Sequence, residues 1–192
     1  IETTALGTGR LDLLEQRSAA DAPESVRTTI AVLCEQFLDL QEKITELEKM
    51  IFAASRKDER VKLLQTIPGV GPITASAVVA TIGEPERFKS GRDFAAWVGL
   101  TPLNKSSGGK ERLGRITKMG DKYLRRLLVA GMTARIGYAR RRPDSIAPWI
   151  INMLGRKPAR LATIAMANKT ARIIWAVLTR NEPYQAPQAK AA

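Results

Sequence analysis

The chain has 192 residues, 44% of them apolar, 26% charged and 5% aromatic, with a net charge of +12, one cysteine and no histidine. The missing histidine removes Ser-His-Asp and Cys-His catalysis, His-ligated zinc and imidazole acid–base chemistry. Cys34 alone forms neither an intrachain disulfide nor a thiolate metal cluster, which fits a reducing compartment, and so few aromatics argue against a base-stacking sheet.

Residues 1–26, with Gly7, Gly9 and Pro23, read as a lead-in linker. The chain opens on Ile1 without a signal-peptide pattern, and the expectation is a piece of a longer protein with a domain upstream. A helix is predicted over 27–58, where Ile30, Leu33, Phe37, Leu40, Ile44, Leu47 and Ile51 recur in alternating steps of three and four. That is a heptad seam. Glu35, Asp39, Glu42, Lys43, Glu46, Glu48 and Lys49 form its solvated side. The seam has to be covered, either by its own domain or, the preferred reading, by another helix in a coiled coil.

Over 61–83, two amphipathic stretches flank Pro68-Gly69-Val70-Gly71-Pro72. Glycines two apart permit positive φ and close backbone approach. The pattern resembles the helix-hairpin-helix element of DNA-handling proteins, whose turn amides and following helix N-terminus hold a phosphate without reading bases. The alternative is an ordinary packing corner. Phe88, Phe94, Ala95, Ala96, Trp97, Val98 and Leu100 read as core, and a polar loop is expected from 99 to 120.

A helix follows over 120–140, with Tyr123, Leu124, Leu127, Leu128, Ala130 and Met132 on its apolar face. After Pro143 and Pro148, a closing helix over 159–179 turns Leu161, Ile164, Ala165, Ala171, Ile174, Trp175 and Leu178 inward. The tail, 181–192, reads as disordered. The class is mainly α: a coiled-coil helix, then a compact helical domain over 59–180. No apolar run, Ile173–Leu178 included, approaches the roughly 20 residues that span a bilayer, so no membrane partner is expected.

The charge is uneven. Residues 1–60 carry −4, residues 61–100 carry +1, residues 101–145 carry +9 and residues 146–192 carry +6. A basic half behind an acidic segment points to a polyanion partner, or to a basic surface kept for solubility. Residues 99–126 concentrate the signal, with Ser106, Ser107, Gly108, Gly109 and eight Lys or Arg. Hydroxyls, backbone amides and cations together suit a phosphodiester, held or attacked. A serine can attack without histidine if guanidinium and ammonium groups stabilise the phosphoryl oxygens. Its proton still needs an acceptor, and this segment offers Glu111 and Asp121.

The run from Ile67-Pro68-Gly69-Val70-Gly71 through Gly99-Leu100-Thr101-Pro102, Ser107-Gly108-Gly109-Lys110 and Gly114-Arg115-Ile116-Thr117-Lys118 to Leu124-Arg125 closely resembles the insertion-sequence-110 transposases. So does Ala167-Asn168-Lys169-Thr170-Ala171-Arg172 ahead of Trp175-Ala176. The resemblance, over roughly residues 27–180, implies a bacterial, nucleoid-associated cytoplasmic recombinase that moves DNA under the direction of a bridge RNA. It implies a resolvase-like domain upstream whose DEDD carboxylates bind Mg2+, while this chain carries no cofactor or metal ligands. It implies that Ser107, with Ser106 in reserve, becomes linked to DNA, and that subunits join as dimers or tetramers through the coiled coil.

On that reading Lys105, Lys110, Arg112, Arg115 and Lys118 contact phosphates, Arg125 and Arg126 extend the track, and Gly69 and Gly71 serve the hairpin. Asn168, Lys169 and Arg172 either touch nucleic acid or pack against the serine loop. Without its DEDD domain the chain is expected to be inactive in strand transfer. The competing reading is a non-catalytic nucleic-acid-binding and oligomerisation module.

Overall fold

A computed structural model describes residues 23–104, 113–142 and 148–186, which fall into two units, one up to Met50 and one from Ile51 on. The architecture is mainly α.

Helix α1 spans Glu24–Ser55, three residues ahead of the expected start at 27. The amides of Val26 and Arg27 donate to the Pro23 carbonyl at 2.9 and 3.1 Å, and Glu24 in the first turn suits the positive end of the helix dipole. The heptad seam is exposed from Leu33 to Leu47 and half-buried at its ends, Ile30 and Ile51: Leu33, Leu40 and Leu47 are each 58% accessible and Ile44 is 56% accessible.

In the second unit each helix starts where its residues dictate. Asp58 caps α2 (Glu59–Gln65) by accepting from Arg60 N at 2.8 Å. Pro72, its φ preset for a first helical position, opens α3 (Pro72–Ile82), which stops at Gly83 with φ +66°. Ser90 accepts from Asp93 N, and the Asp93 carboxylate accepts from Lys89 N at 3.3 Å, a reciprocal cap at the head of α4 (Gly91–Trp97). Asp121 caps α5 (Lys122–Arg141) by accepting from Leu124 N at 2.7 Å. Pro148 begins α6 (Pro148–Arg156), and α7 (Ala159–Arg180) ends on Asn181 in the left-handed region.

Helix α7 is the centre. Helices α2, α4, α5 and α6 all pack on it, and Ala162, Ala167, Ala171 and Ile174 are fully buried along it. At Gly91 a Cβ would lie 3.0 Å from the Arg172 carbonyl, so α4 meets α7 backbone to backbone. Among the described residues α7 alone is long and apolar enough to cross a membrane; here its length buries the core.

Several sequence expectations shift. The segment 99–120 contains an antiparallel ribbon, β1 (Pro102–Asn104) with β2 (Leu113–Ile116). Strands of three and four residues are too short to display a period of two. Helices α4 and α6 were hidden because seven and nine residues between breakers give two turns of pattern. Trp97 is 38% exposed and Ala96 is also exposed, while Phe94 is buried, the three rings of Phe88, Phe94 and Trp97 sharing one cluster. Tyr123, Ala130, Leu161 and Ala165 face solvent. In the tail expected to be disordered, Tyr184 is half-buried against the core and its amide donates to Thr66 Oγ1 at 2.9 Å.

Candidate nucleic-acid interface

The ribbon forms the neck of the serine-bearing segment. Pro102 pairs with Ile116 and Asn104 with Leu113, and the ladder continues below as Thr117 N donates to Thr101 O at 2.9 Å and Lys118 N to Gly99 O at 3.2 Å. Two glycines make the base possible. Gly99 and Gly120 hold φ +78° and +123°, and a Cβ at either would overlap a carbonyl, Met119 or Trp97 respectively. Two side chains then pin the turn from outside: Arg125 Nη1 donates to Val98 O at 2.8 Å and Asn168 Nδ2 to Leu100 O at 3.1 Å. Lys118 itself sits at φ +57°, a conformation uncommon for a lysine.

Lys105, Ser106, Ser107, Lys110, Glu111 and Arg112 lie outside the described residues, in the stretch between the paired ends Asn104 and Leu113. Arg115, Lys118 and Arg126 are exposed around the neck. Arg125 is half-buried, its guanidinium engaged with Val98. These two pins join residues 27 and 68 apart in sequence, beyond the reach of any spacing rule.

Gly69 and Gly71 lie elsewhere, in the turn between α2 and α3, and they differ. Gly69, at φ +88°, presses on α5: a Cβ there would overlap the Met132 side chain, and one at Gly131 would overlap the Gly69 carbonyl. That contact accounts for glycine at 69 by packing. A Cβ at Gly71 would meet nothing within 4 Å, and Gly71 opens α3 with no side-chain cap. The first amides of an uncapped helix are free donors at a positive dipole end. The neck and the hairpin thus meet one helix, at Arg125 and at Gly131–Arg135. Six to ten residues of helix separate them by about 9–15 Å.

Helix α5 carries six Lys or Arg and α7 four, with no Asp or Glu in either. Arg172 backs onto Gly91, and Lys169 Nζ lies 3.9 Å above the Trp149 ring. Arg135, which sequence reasoning missed, follows Met132 on the inward stripe of α5 and is half-buried. A cation on an apolar stripe was the available signal. Among the described residues no cluster of His, Cys, Asp and Glu would hold a metal ion, and Asp121 is occupied as a cap. These residues do not fit a magnesium site.

Residues 61–146 match the model of the transposase IS116/IS110/IS902 family. The chain is 39% identical over 175 residues to a protein of Pseudomonas aeruginosa named "Probable family 20 transposase", covering 91% of this chain and 52% of that protein. It is 34% identical over 175 residues to the transposase for insertion sequence element IS1111A of Coxiella burnetii (91% and 48%). To the transposase for insertion sequence element IS1328 of Yersinia enterocolitica it is 42% identical over 143 residues (73% and 42%). The chain spans about half the length of the curated relatives it matches.

Proposed function

The chain belongs to the IS116/IS110/IS902 transposase family, and from that membership we propose that it is the part of a DNA recombinase that grips a DNA phosphodiester and attacks it with Ser107. The observation that carries this reading is the neck. A paired ribbon, fixed by Gly99, Gly120, Arg125 and Asn168, joins Asn104 to Leu113, the residues that flank 105–112 in sequence, and leads into a helix with six cations and no carboxylate. Positioning with charge stabilisation is most of phosphoryl-transfer catalysis.

In the proposed step the Ser107 Oγ forms a bond to phosphorus, and the bond from phosphorus to one deoxyribose oxygen breaks. The serine proton leaves to a base, and a proton reaches the departing sugar oxygen. Lys110, Arg112, Arg115 and Lys118 neutralise the non-bridging oxygens, and Lys105 and Arg126 extend the grip. Asp121 is committed to capping α5, so the base is Glu111 or a group outside this chain. Magnesium, where the whole protein uses it, is held by carboxylates of another domain. The acid-free faces of α5 and α7 suit a guiding RNA as well as DNA, and the exposed seam of α1 suits pairing with the same helix of a second subunit.

Ser107→Ala in the full-length protein tests the step. Recombination should fall by on the order of 10^6-fold, the scale seen when a nucleophile is removed, with nucleic-acid binding retained. Undiminished recombination would establish instead a binding and oligomerisation module, a reading favoured by one observation: Arg115, Lys118 and Arg126 are exposed and need no chemistry to hold a duplex.

A further inference from the structure

Arg135 stands among apolar neighbours. Met132 and Ile136 beside it on α5 are buried, and burial pushes its guanidinium below the usual arginine range, an effect partly offset by the Tyr184 phenol. Among the described residues no carboxylate comes within 4.0 Å of Arg135 or of Lys169. Both side chains line the same notch, a cavity of about 50 Å3 bounded also by Pro68 of the hairpin turn, Trp149, Met166 and Tyr184. The Trp149 ring fixes the Lys169 ammonium at 3.9 Å, and Gly69 brings the hairpin turn against the Arg135 side chain, which a Cβ there would meet at 3.6 Å.

Two cations that line one partly apolar notch, with no carboxylate within 4.0 Å of either among the described residues, offer an incoming anion two partners. A water needs on the order of 10–15 Å3 of such space, so the notch has room for a few waters or one tetrahedral oxyanion. We propose that this notch holds one phosphate of a nucleic-acid backbone, with Arg135 and Lys169 as its ligands and Trp149 as the residue that positions Lys169. The proposal rests on the reading that the chain binds nucleic acid. It adds a contact beside the hairpin turn, on the same helix as the serine neck and about 15 Å along it from the first arginines.

The test measures binding of the full chain to a duplex oligonucleotide across a salt titration. The R135M/K169M variant keeps the apolar stems and loses both charges. Its affinity should fall about tenfold, the equivalent of one charge-assisted contact, and its slope of log affinity against log salt should flatten by about 0.9. The charge-preserving R135K/K169R variant should keep the wild-type slope. The melting temperature of R135M/K169M should not fall, because an unpaired partly buried cation has been removed.

An unchanged slope in R135M/K169M, beside a steep wild-type slope, overturns the notch and leaves the nucleic-acid reading standing. A lowered melting temperature with an unchanged slope assigns the two residues to the fold and overturns the notch equally. Inorganic phosphate that raises the wild-type melting temperature, with duplex affinity indifferent to both residues, marks a free-anion site and likewise overturns it. A flat wild-type slope sinks both readings together.

Discussion

Leucines in α1 and leucines in the helical unit that follows are the same residue in opposite circumstances. Leu33, Leu40 and Leu47 are each 58% exposed, whereas Leu64, Leu124 and Leu128 are exposed by 1% or less. Leu33, Leu40 and Leu47 recur at helical spacing, and so do Leu124 and Leu128. The second is covered by α7 and its neighbours, and the first is exposed among the described residues. Burying a leucine side chain fully is worth about 1.5–3 kcal/mol, a gain the second set realises and the first does not. One pattern builds a core, and the other stays exposed, the basis of the pairing proposed for α1.

The sharpest way to break that contrast is to truncate one leucine from each set. Leu128→Ala should destabilise the helical unit by about 2–5 kcal/mol in chemical denaturation, through lost burial and the cavity left behind. Gly120→Ala should come next. Its φ of +123° alone costs a non-glycine residue about 1–3 kcal/mol, and the Trp97 carbonyl would have to move as well. A loss of stability confined within 0.5 kcal/mol would show that the neck is not as tightly built as its contacts indicate. Leu40→Ala should be the mildest, changing the unfolding of the helical unit by less than about 0.5 kcal/mol. In sedimentation equilibrium that variant should nevertheless weaken self-association. Equal destabilisation by Leu40→Ala and Leu128→Ala would mean that the seam is covered within the chain, and the contrast would vanish.

The readability of the chain followed the length of its patterns. The heptad of α1, the apolar stripe of α5 around Leu124, Leu128 and Met132, and the run of α7 were all visible because several turns repeat one spacing. The turn between α2 and α3 was visible through Pro68, Gly69, Gly71 and Pro72, residues whose backbone preferences are local. The ribbon was not, since Pro102–Asn104 and Leu113–Ile116 are shorter than the pattern that would reveal them. Nor were the split roles of the hairpin glycines, because a packing glycine and an open one are the same letter.

For the candidate site the division is similar. A cluster of serine, glycine and cations is what points to phosphate in the proposed function, and the exclusion of histidine chemistry came from composition alone. That Arg125 would turn inward to the Val98 carbonyl, that Asn168 would reach Leu100 from another helix, and that Arg135 would share a cavity with Lys169 were unreadable. Local sequence fixes what a residue can donate, accept or repel, together with the periodicity of its own helix. Which distant partner receives that donor depends on how helices pack, and packing is settled by the whole core at once. The tertiary structure therefore decided the neck and the notch, while the sequence by itself had already determined the helices, the charge and the chemistry available to them.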